Sequence, residues 1–449
     1  MSKALKTPKR NTPLPITAPC PDRIVIQSHG MGVESQAILE RWVAEPASRP
    51  FVTWDQLIVV TAQVGEEHKN DTIRDCEARM LPLLREHGVR FVEVARRGFL
   101  EEDGIVVLQD TRQPEKLHPD GAFSLGNYLL RSGTVPQFGG PSHKCAQKFK
   151  AFVIETWLSF EFQHLKELAP VYHVFGYNAD EVVRTVKSDH HINRHNADRD
   201  IPAPKTPLMV FGFNSDEGVR TERAMKYDGP HRIGHYPLDE WGWNRQKCID
   251  YIAERSGISW RKSHCGFCPF CAEASKGEAG AVTRWEESPV ETARGLLVEY
   301  NSLCFNPRGT LYRDRALVDV ITRVKSEAAL VEFAKLLEGV PWALYRVRRI
   351  YTAKGKAMRY VERLTPDQAR AFADSSLRGV VDRDAPQAAK QTMRGIDYWM
   401  FAEREEGTYP AREGFYVVAP AFMDDKLRGQ PEKFNERWER VGKGLPMNP

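Results

Sequence analysis

The sequence predicts an α/β protein: a doubly wound, mostly parallel sheet, then a cysteine-rich loop, then a C-terminal α+β extension. Three observations carry this expectation. Short apolar, β-branched runs recur at 24–26, 57–61, 89–94 and 171–175. Helical patterns stand between them, as in βαβ units. Beyond about residue 276 the alternation stops, and consecutive helices and a hairpin follow.

The first 22 residues hold Lys3, Lys6, Lys9 and Arg10 among several prolines and lack an apolar h-region. They read as a disordered basic arm rather than a secretory signal. Ile24-Val25-Ile26 is the first buried strand. Ile38, Leu39, Trp42 and Val43 then share one face of a helix. Leu57 to Thr61 is a second strand. Asp71 to His87 is an amphipathic helix with Ile73, Cys76, Met80, Leu81 and Leu84 inward, ended by Gly88. Val89 to Val94 is a third strand. Residues 95–142, rich in Gly, Pro and charge, read as long loops, as do 185–234. Cys145 to Phe162 reads as helix, Val171 to Phe175 as strand, and Asn244 to Arg255 as helix. The extension should contain helices at Val290–Tyr300 and Asp314–Leu337. A hairpin over 342–363 turns at Lys354-Gly355-Lys356, and a helix capped at Thr365-Pro366 follows. The texture divides the chain into an arm (1–22), a nucleotide-binding domain (23–280) and an extension (281–449).

Between the first strand and its helix lies Ser28-His29-Gly30-Met31-Gly32-Val33-Glu34-Ser35. A strand, a glycine loop and a helix start form an anion site. Glycines admit close approach, unpaired N–H groups face the ligand, and the helix dipole favours negative charge. A Walker A loop is excluded, since no lysine occurs between Arg23 and Lys69. The dinucleotide pattern fails because Ser35 stands at the third glycine. By itself the segment is equally consistent with a tight strand–helix turn.

Other segments share a pattern with it. They are Val64-Gly65-Glu66-Glu67-His68 with Thr72, Lys144-Cys145 through Lys150, Gly176-Tyr-Asn-Ala-Asp-Glu181-Val-Val-Arg184, and Tyr236-Pro-Leu-Asp-Glu-Trp241. In this order the five resemble the phosphoadenosine-phosphosulfate reductase-like branch of the PP-loop ATP pyrophosphatases, the adenine nucleotide α-hydrolase superfamily. The resemblance covers about residues 23–275 and implies a HUP-like PP-loop fold. The loop departs from Ser-Gly-Gly-x-Asp-Ser at its first two positions and at Glu34. The resemblance implies that residues 28–35 hold the pyrophosphate of ATP through the loop amides and the Ser35 hydroxyl. Thr61, Gly65 and Glu67 would flank the nucleotide. Lys150 and Arg184 would neutralise phosphate charge, with Glu181 orienting Arg184 or holding Mg²⁺. It further implies attack at the ATP α-phosphate, pyrophosphate release, and activation of a nucleic acid or nucleotide for sulfur transfer, with a possible sulfur-donor protein as partner. A nucleotide-sensing or nucleic-acid-binding protein without turnover, and an adenylyl-sulfate reductase, stand as rivals. No cysteine follows Cys304, where an assimilatory reductase would carry its catalytic thiol.

Cys265, Cys268 and Cys271 form overlapping C-x-x-C units, a spacing suited to Zn²⁺ or a 4Fe-4S cluster. The resemblance, which implies that Cys145 lies near the nucleotide site, makes it the first candidate for a fourth ligand, with His264 and Cys248 next. Eight unevenly spaced cysteines do not make a secreted disulfide framework and fit a reducing cytoplasm. No apolar run approaches a membrane span. A net charge of +4 demands no nucleic-acid partner. Residues 342–363, however, interleave Arg346, Arg348, Arg349, Lys354, Lys356, Arg359 and Arg363 with Trp342, Tyr345, Tyr351 and Tyr360. That pattern fits either a solvated hairpin or a surface that tracks phosphates and stacks bases.

Overall fold

A computed structural model describes residues 24–66, 69–136, 144–163, 171–175, 208–211, 233–235, 237–261, 263–269, 288–312, 315–323, 326–427 and 430–447. The basic arm, Glu67, His68, Glu181, Arg184 and Cys271 lie outside them. The chain forms two compact units, one of residues 1–125 and 139–265, the other of residues 126–138 and 266–449. The division thus falls before the expected domain boundary, and a short segment from the first half belongs to the second unit.

The first unit is built on β1 (Ile24–Ser28), β2 (Leu57–Gln63), β3 (Arg90–Arg96), β4 (Ile105–Thr111), β5 (Val171–Phe175), β6 (Leu208–Phe211) and β7 (Ile233–His235), in the spatial order 4-3-2-1-5-6-7. All neighbours are parallel except β3 and β4. The sheet is therefore α/β and mostly parallel, with one antiparallel edge. Alternate residues feed opposite faces. Val25, Leu57, Val59 and Phe91 pack with Ile38, Leu39 and Trp42 of α1 (Val33–Ala44), and with Cys76, Met80, Leu81, Leu84 and Ile252. Ile26, Ile58, Val60, Val92 and Val94 pack instead with Val153, Ile154, Trp157 and Leu158. Helices on both faces explain why the strands read as continuous apolar runs.

The 71–87 pattern is helical, with π-type turns at Lys69–Ile73 and Cys76–Met80 ahead of α2 (Leu81–Glu86). Its predicted inward residues are all buried. Two expected loops instead contain structure. Residues 95–142 include β4 and α3 (Leu125–Ser132), and 185–234 include β6 and β7. β4 escaped although Ile105 to Leu108 is an apolar run, because it is an edge strand with Val107 exposed and it sits among Gly-, Pro- and charge-rich flanks that read as loop.

The second unit centres on an antiparallel sheet of β8 (Trp342–Ala353), β9 (Lys356–Arg363), β10 (Ala389–Met393), β11 (Ile396–Ala402), β12 (Ala411–Pro420) and β13 (Lys426–Leu427), ordered 10-11-12-8-9-13. The predicted 342–363 hairpin is β8–β9. The helix expected over 314–337 is two, Leu317–Arg323 and Glu327–Glu338, with Ser326 as N-cap of the second. The helix expected at Thr365 begins only at Arg370. Residues 364–368 are instead tied to β8: Leu364 N–H donates to the Leu344 carbonyl, and Trp342 and Gln368 exchange two backbone bonds. No helix among the described residues is long and apolar enough to cross a membrane.

Candidate functional site

The chain leaves β1 toward β2 and β3 on one side, then returns to β5 on the other. Such a reversal opens a crevice at the carboxyl ends of the strands, where ligands of doubly wound sheets bind. Ser28 ends β1 and lies between Val60 of β2 and Phe175 of β5. The glycine loop therefore begins at the switch point of the sheet.

The loop is tied down by backbone and side-chain bonds. His29 N–H donates to the Val60 carbonyl at 2.8 Å, and the Thr61 hydroxyl donates to the His29 carbonyl at 2.9 Å. The Ser263 hydroxyl donates to the Gly30 carbonyl at 2.8 Å, and Trp260 Nε1–H to the Met31 carbonyl at 3.2 Å. Three loop carbonyls thus point into protein donors. The left-handed residue is Met31, with φ 57°, rather than either glycine. Its N–H donates to His29 Nδ1 at 3.2 Å, and its side chain is buried. A Cβ built on Gly30 would meet no described atom within 4 Å, so the space beside it is open. Gly32 is the N-cap of α1, and no side chain caps that helix.

Two predicted ligand groups are engaged within the protein. Ser35 Oγ donates to the Gly32 carbonyl at 3.1 Å. The Glu34 carboxylate is buried and accepts from Arg245 Nε at 2.7 Å. Arg245 stands at the start of the Arg245–Ser256 helix, which Asn244 caps by accepting from Lys247 N–H and Gly257 ends in a left-handed turn.

His29 leads into a chain of buried polar groups that the sequence reading missed. Because Nδ1 accepts from Met31, the ring proton sits on Nε2, which donates to Gln36 Oε1 at 3.2 Å. Gln36 Nε2 donates to Glu40 at 3.0 Å, and Glu40 receives a two-pronged pair from Arg79, both bonds at 2.7 Å. Arg255 reaches Glu40 at 3.4 Å. Burial pushes the His29 pKa down to about 4, so the ring is neutral near pH 7. The only signal in the sequence is Gln36 and Glu40 on a helix face that ought to be apolar.

Gly65 follows β2 with φ 77°, and a Cβ there would collide with Ser124 and the Asp120 carbonyl. Its role is to let the turn pack against residues 120–124, where the Ser124 hydroxyl meets Glu66 at 2.8 Å. Lys150 and Cys145 are half-buried on the helical stretch before α4 (Phe152–Gln163). Close by in sequence to Lys150, the Lys148 carbonyl accepts from buried Arg96, which also bonds the Gly98 and Phe99 carbonyls.

Cys265 and Cys268 are half-buried, and Cys248 is packed in the core beneath α1. Among the described residues no three His, Cys, Asp or Glu side chains converge on a metal position. The third thiol of the motif, Cys271, lies outside the described residues.

In the second unit the hairpin is not an open basic surface. Trp342, Tyr345 and Tyr351 are buried, because β8 is central in its sheet and covered on both sides. Arg346 and Arg348 pair with Glu362, Arg349 with Glu413, and Arg359 bonds the Ser132 and Gly133 carbonyls. Lys354 and Lys356, at the tip, are exposed.

Comparison with family models, with curated proteins and with solved structures finds no match.

Proposed function

We propose that the chain is an ATP-using PP-loop enzyme of HUP-like fold, resembling the phosphoadenosine-phosphosulfate reductase-like branch. ATP lies across the carboxyl end of β1, with its pyrophosphate against residues 28–35 and the start of α1. An acceptor oxygen attacks the α-phosphate, pyrophosphate leaves, and the adenylated nucleic acid or nucleotide is then open to displacement by sulfur. The observation that carries this is the uncapped helix start at a glycine loop on the switch point of a parallel sheet. The open space beside Gly30 supports close approach of a phosphate. Lys150, and Glu181 and Arg184 in the segment after β5, supply the charge the resemblance implies, with Mg²⁺ bound alongside the nucleotide. Cys265, Cys268 and Cys271, with Cys145, would hold the Zn²⁺ or 4Fe-4S cluster that their spacing suits. Iron, sulfide and zinc analysis after anaerobic purification decides what the cysteines hold.

ATP, Mg²⁺ and an acceptor pool should give AMP and pyrophosphate. Formation of ADP alone, or no ATP binding, sinks the proposal. Gly30→Val should leave the fold intact and weaken ATP binding at least tenfold, because its side chain fills the space the phosphates need. A second reading, nucleotide binding without turnover, is favoured by one observation: Ser35 and Glu34 are already bonded within the protein. Tight ATP binding with no AMP from any acceptor would select it.

A further inference from the structure

The second unit contains a cavity of about 290 Å³ lined by Arg308, Arg349, Arg404, Tyr351 and Asn306 beside the β8–β9 turn. Its volume is at the small end of the range for ligand sites. Three guanidinium groups meet there against one carboxylate, Glu413. Arg349 Nη1 and Arg308 Nη2 donate to Glu413 at 3.0 and 2.8 Å, and the Tyr351 hydroxyl donates to it at 2.8 Å. That carboxylate is therefore already engaged by three donors of its own unit. Arg404 has no carboxylate partner among the described residues. Its guanidinium lies 4.0 Å over the Tyr351 ring, one Nη donates to Tyr409, and its Nε is buried without a hydrogen-bond partner. A buried, unsatisfied N–H on a cation is costly unless something accepts from it. Asn306 accepts from Arg349 through Oδ1, which leaves its amide nitrogen as a further donor.

Three guanidinium groups against Glu413 leave an excess of two positive charges, all of them planar forks, and no acid is among the residues that line the cavity. Guanidinium forks match phosphate oxygens two at a time. We propose that this cavity is a phosphate-group site that takes a phosphomonoester dianion, with Arg404 and Arg308 as its mobile clasps and the Arg349–Glu413 pair as its fixed floor. The site is independent of the glycine loop and of the ATP chemistry proposed there. It also relocates the basic character of the hairpin. The cations of β8 and β9 mostly hold the unit together, and an anion is received at the turn-side cavity instead of along the strand faces.

The test is calorimetric titration of the full chain with inorganic phosphate. Saturable binding is expected, and Arg404→Gln and Arg308→Gln should each weaken it at least tenfold. Arg404→Lys, which keeps the charge but loses the fork, should recover part of the loss. Both side chains are partly open to solvent, and circular dichroism checks that the variants keep the wild-type fold. Competition then identifies the ester. A 5′-phosphorylated oligonucleotide that competes where its 5′-hydroxyl counterpart does not assigns it to a nucleic-acid end. Competition by AMP alone assigns it to a small molecule. Phosphate binding that both glutamine variants leave unchanged overturns the proposal, as does the absence of any phosphate binding.

Discussion

His29 carries a neutral imidazole into a fully enclosed position, and that has a pH signature. Its ordinary pKa of 6.5 falls to about 4 in the folded chain, chiefly through burial, while its bond to Gln36 pulls the other way. The unfolded state therefore binds more protons between these values. Stability from His29 is complete above pH 6.5 and is lost as pH falls toward 4, by about 3 kcal/mol in all. Denaturant titrations at pH 7 and pH 4.5 should show a smaller loss in His29→Gln than in wild type; an equal loss would show that the ring is not buried neutral. Gly65 makes a second residue-scale case. Alanine there meets both a left-handed φ and a Ser124 Cβ only 2.4 Å away. Gly65→Ala should cost about 2 kcal/mol or more in chemical unfolding. Alanine at Gly88, where φ is also positive but nothing lies within 4 Å, should cost about 1 kcal/mol.

At the scale of elements, α1 is fastened to its neighbours through two buried carboxylates, Glu34 on Arg245 and Glu40 on Arg79 and Arg255. Glu40 is fully enclosed, whereas Arg79 and Arg255 keep about a quarter and a third of their side chains in solvent. Removing partners is therefore asymmetric. Arg79→Met leaves the buried charge with the Gln36 amide at 3.0 Å and, as its one remaining cation, Arg255 at 3.4 Å, and should cost about 3–5 kcal/mol. Glu40→Gln lets both arginines turn to water and should cost about 1–3 kcal/mol. Equal losses in urea unfolding would contradict this account. The same network marks the limit of sequence reasoning. Strands β1, β2 and β3 were legible because burial on both faces writes a continuous apolar run. Partners 39 and 215 residues away, like Arg79 and Arg255 on Glu40, leave no local pattern. The glycine loop was legible as a place, but not in its wiring: Met31 is the left-handed residue, and Trp260 and Ser263 are its supports. Tyr345 and Tyr351 looked like a stacking surface because aromatic residues alternate with arginines equally well on a covered central strand.

At the scale of the whole chain, the two units are not two sequence halves. Residues 126–138, which precede most of the first unit's second half, belong to the unit formed by 266–449. Their attachment there is specific. The Leu130 carbonyl accepts from buried Asn301 at 2.8 Å, and the Ser132 carbonyl accepts from Lys426 at 2.6 Å and Arg359 at 3.2 Å. Asn127 accepts from Arg294 at 2.8 Å. Gly133 adopts φ 55° with Phe305 and Met423 against it, so close that a Cβ would displace them. A fragment of residues 266–449 therefore leaves the buried Asn301 amide without its Leu130 acceptor and the Phe305–Met423 surface uncovered. Uncompensated buried donors cost about 1–3 kcal/mol each, against a total stability of about 5–15 kcal/mol for a domain. The fragment should unfold at lower denaturant than the second unit does in the full chain. A synthetic 126–138 peptide added in trans should raise its midpoint with the logarithm of peptide concentration once that exceeds Kd, by mass action. Asn301→Ala in the fragment should blunt that rescue, since it removes the donor to Leu130. A fragment as stable without the peptide as with it would mean that the segment merely lies on a unit already complete.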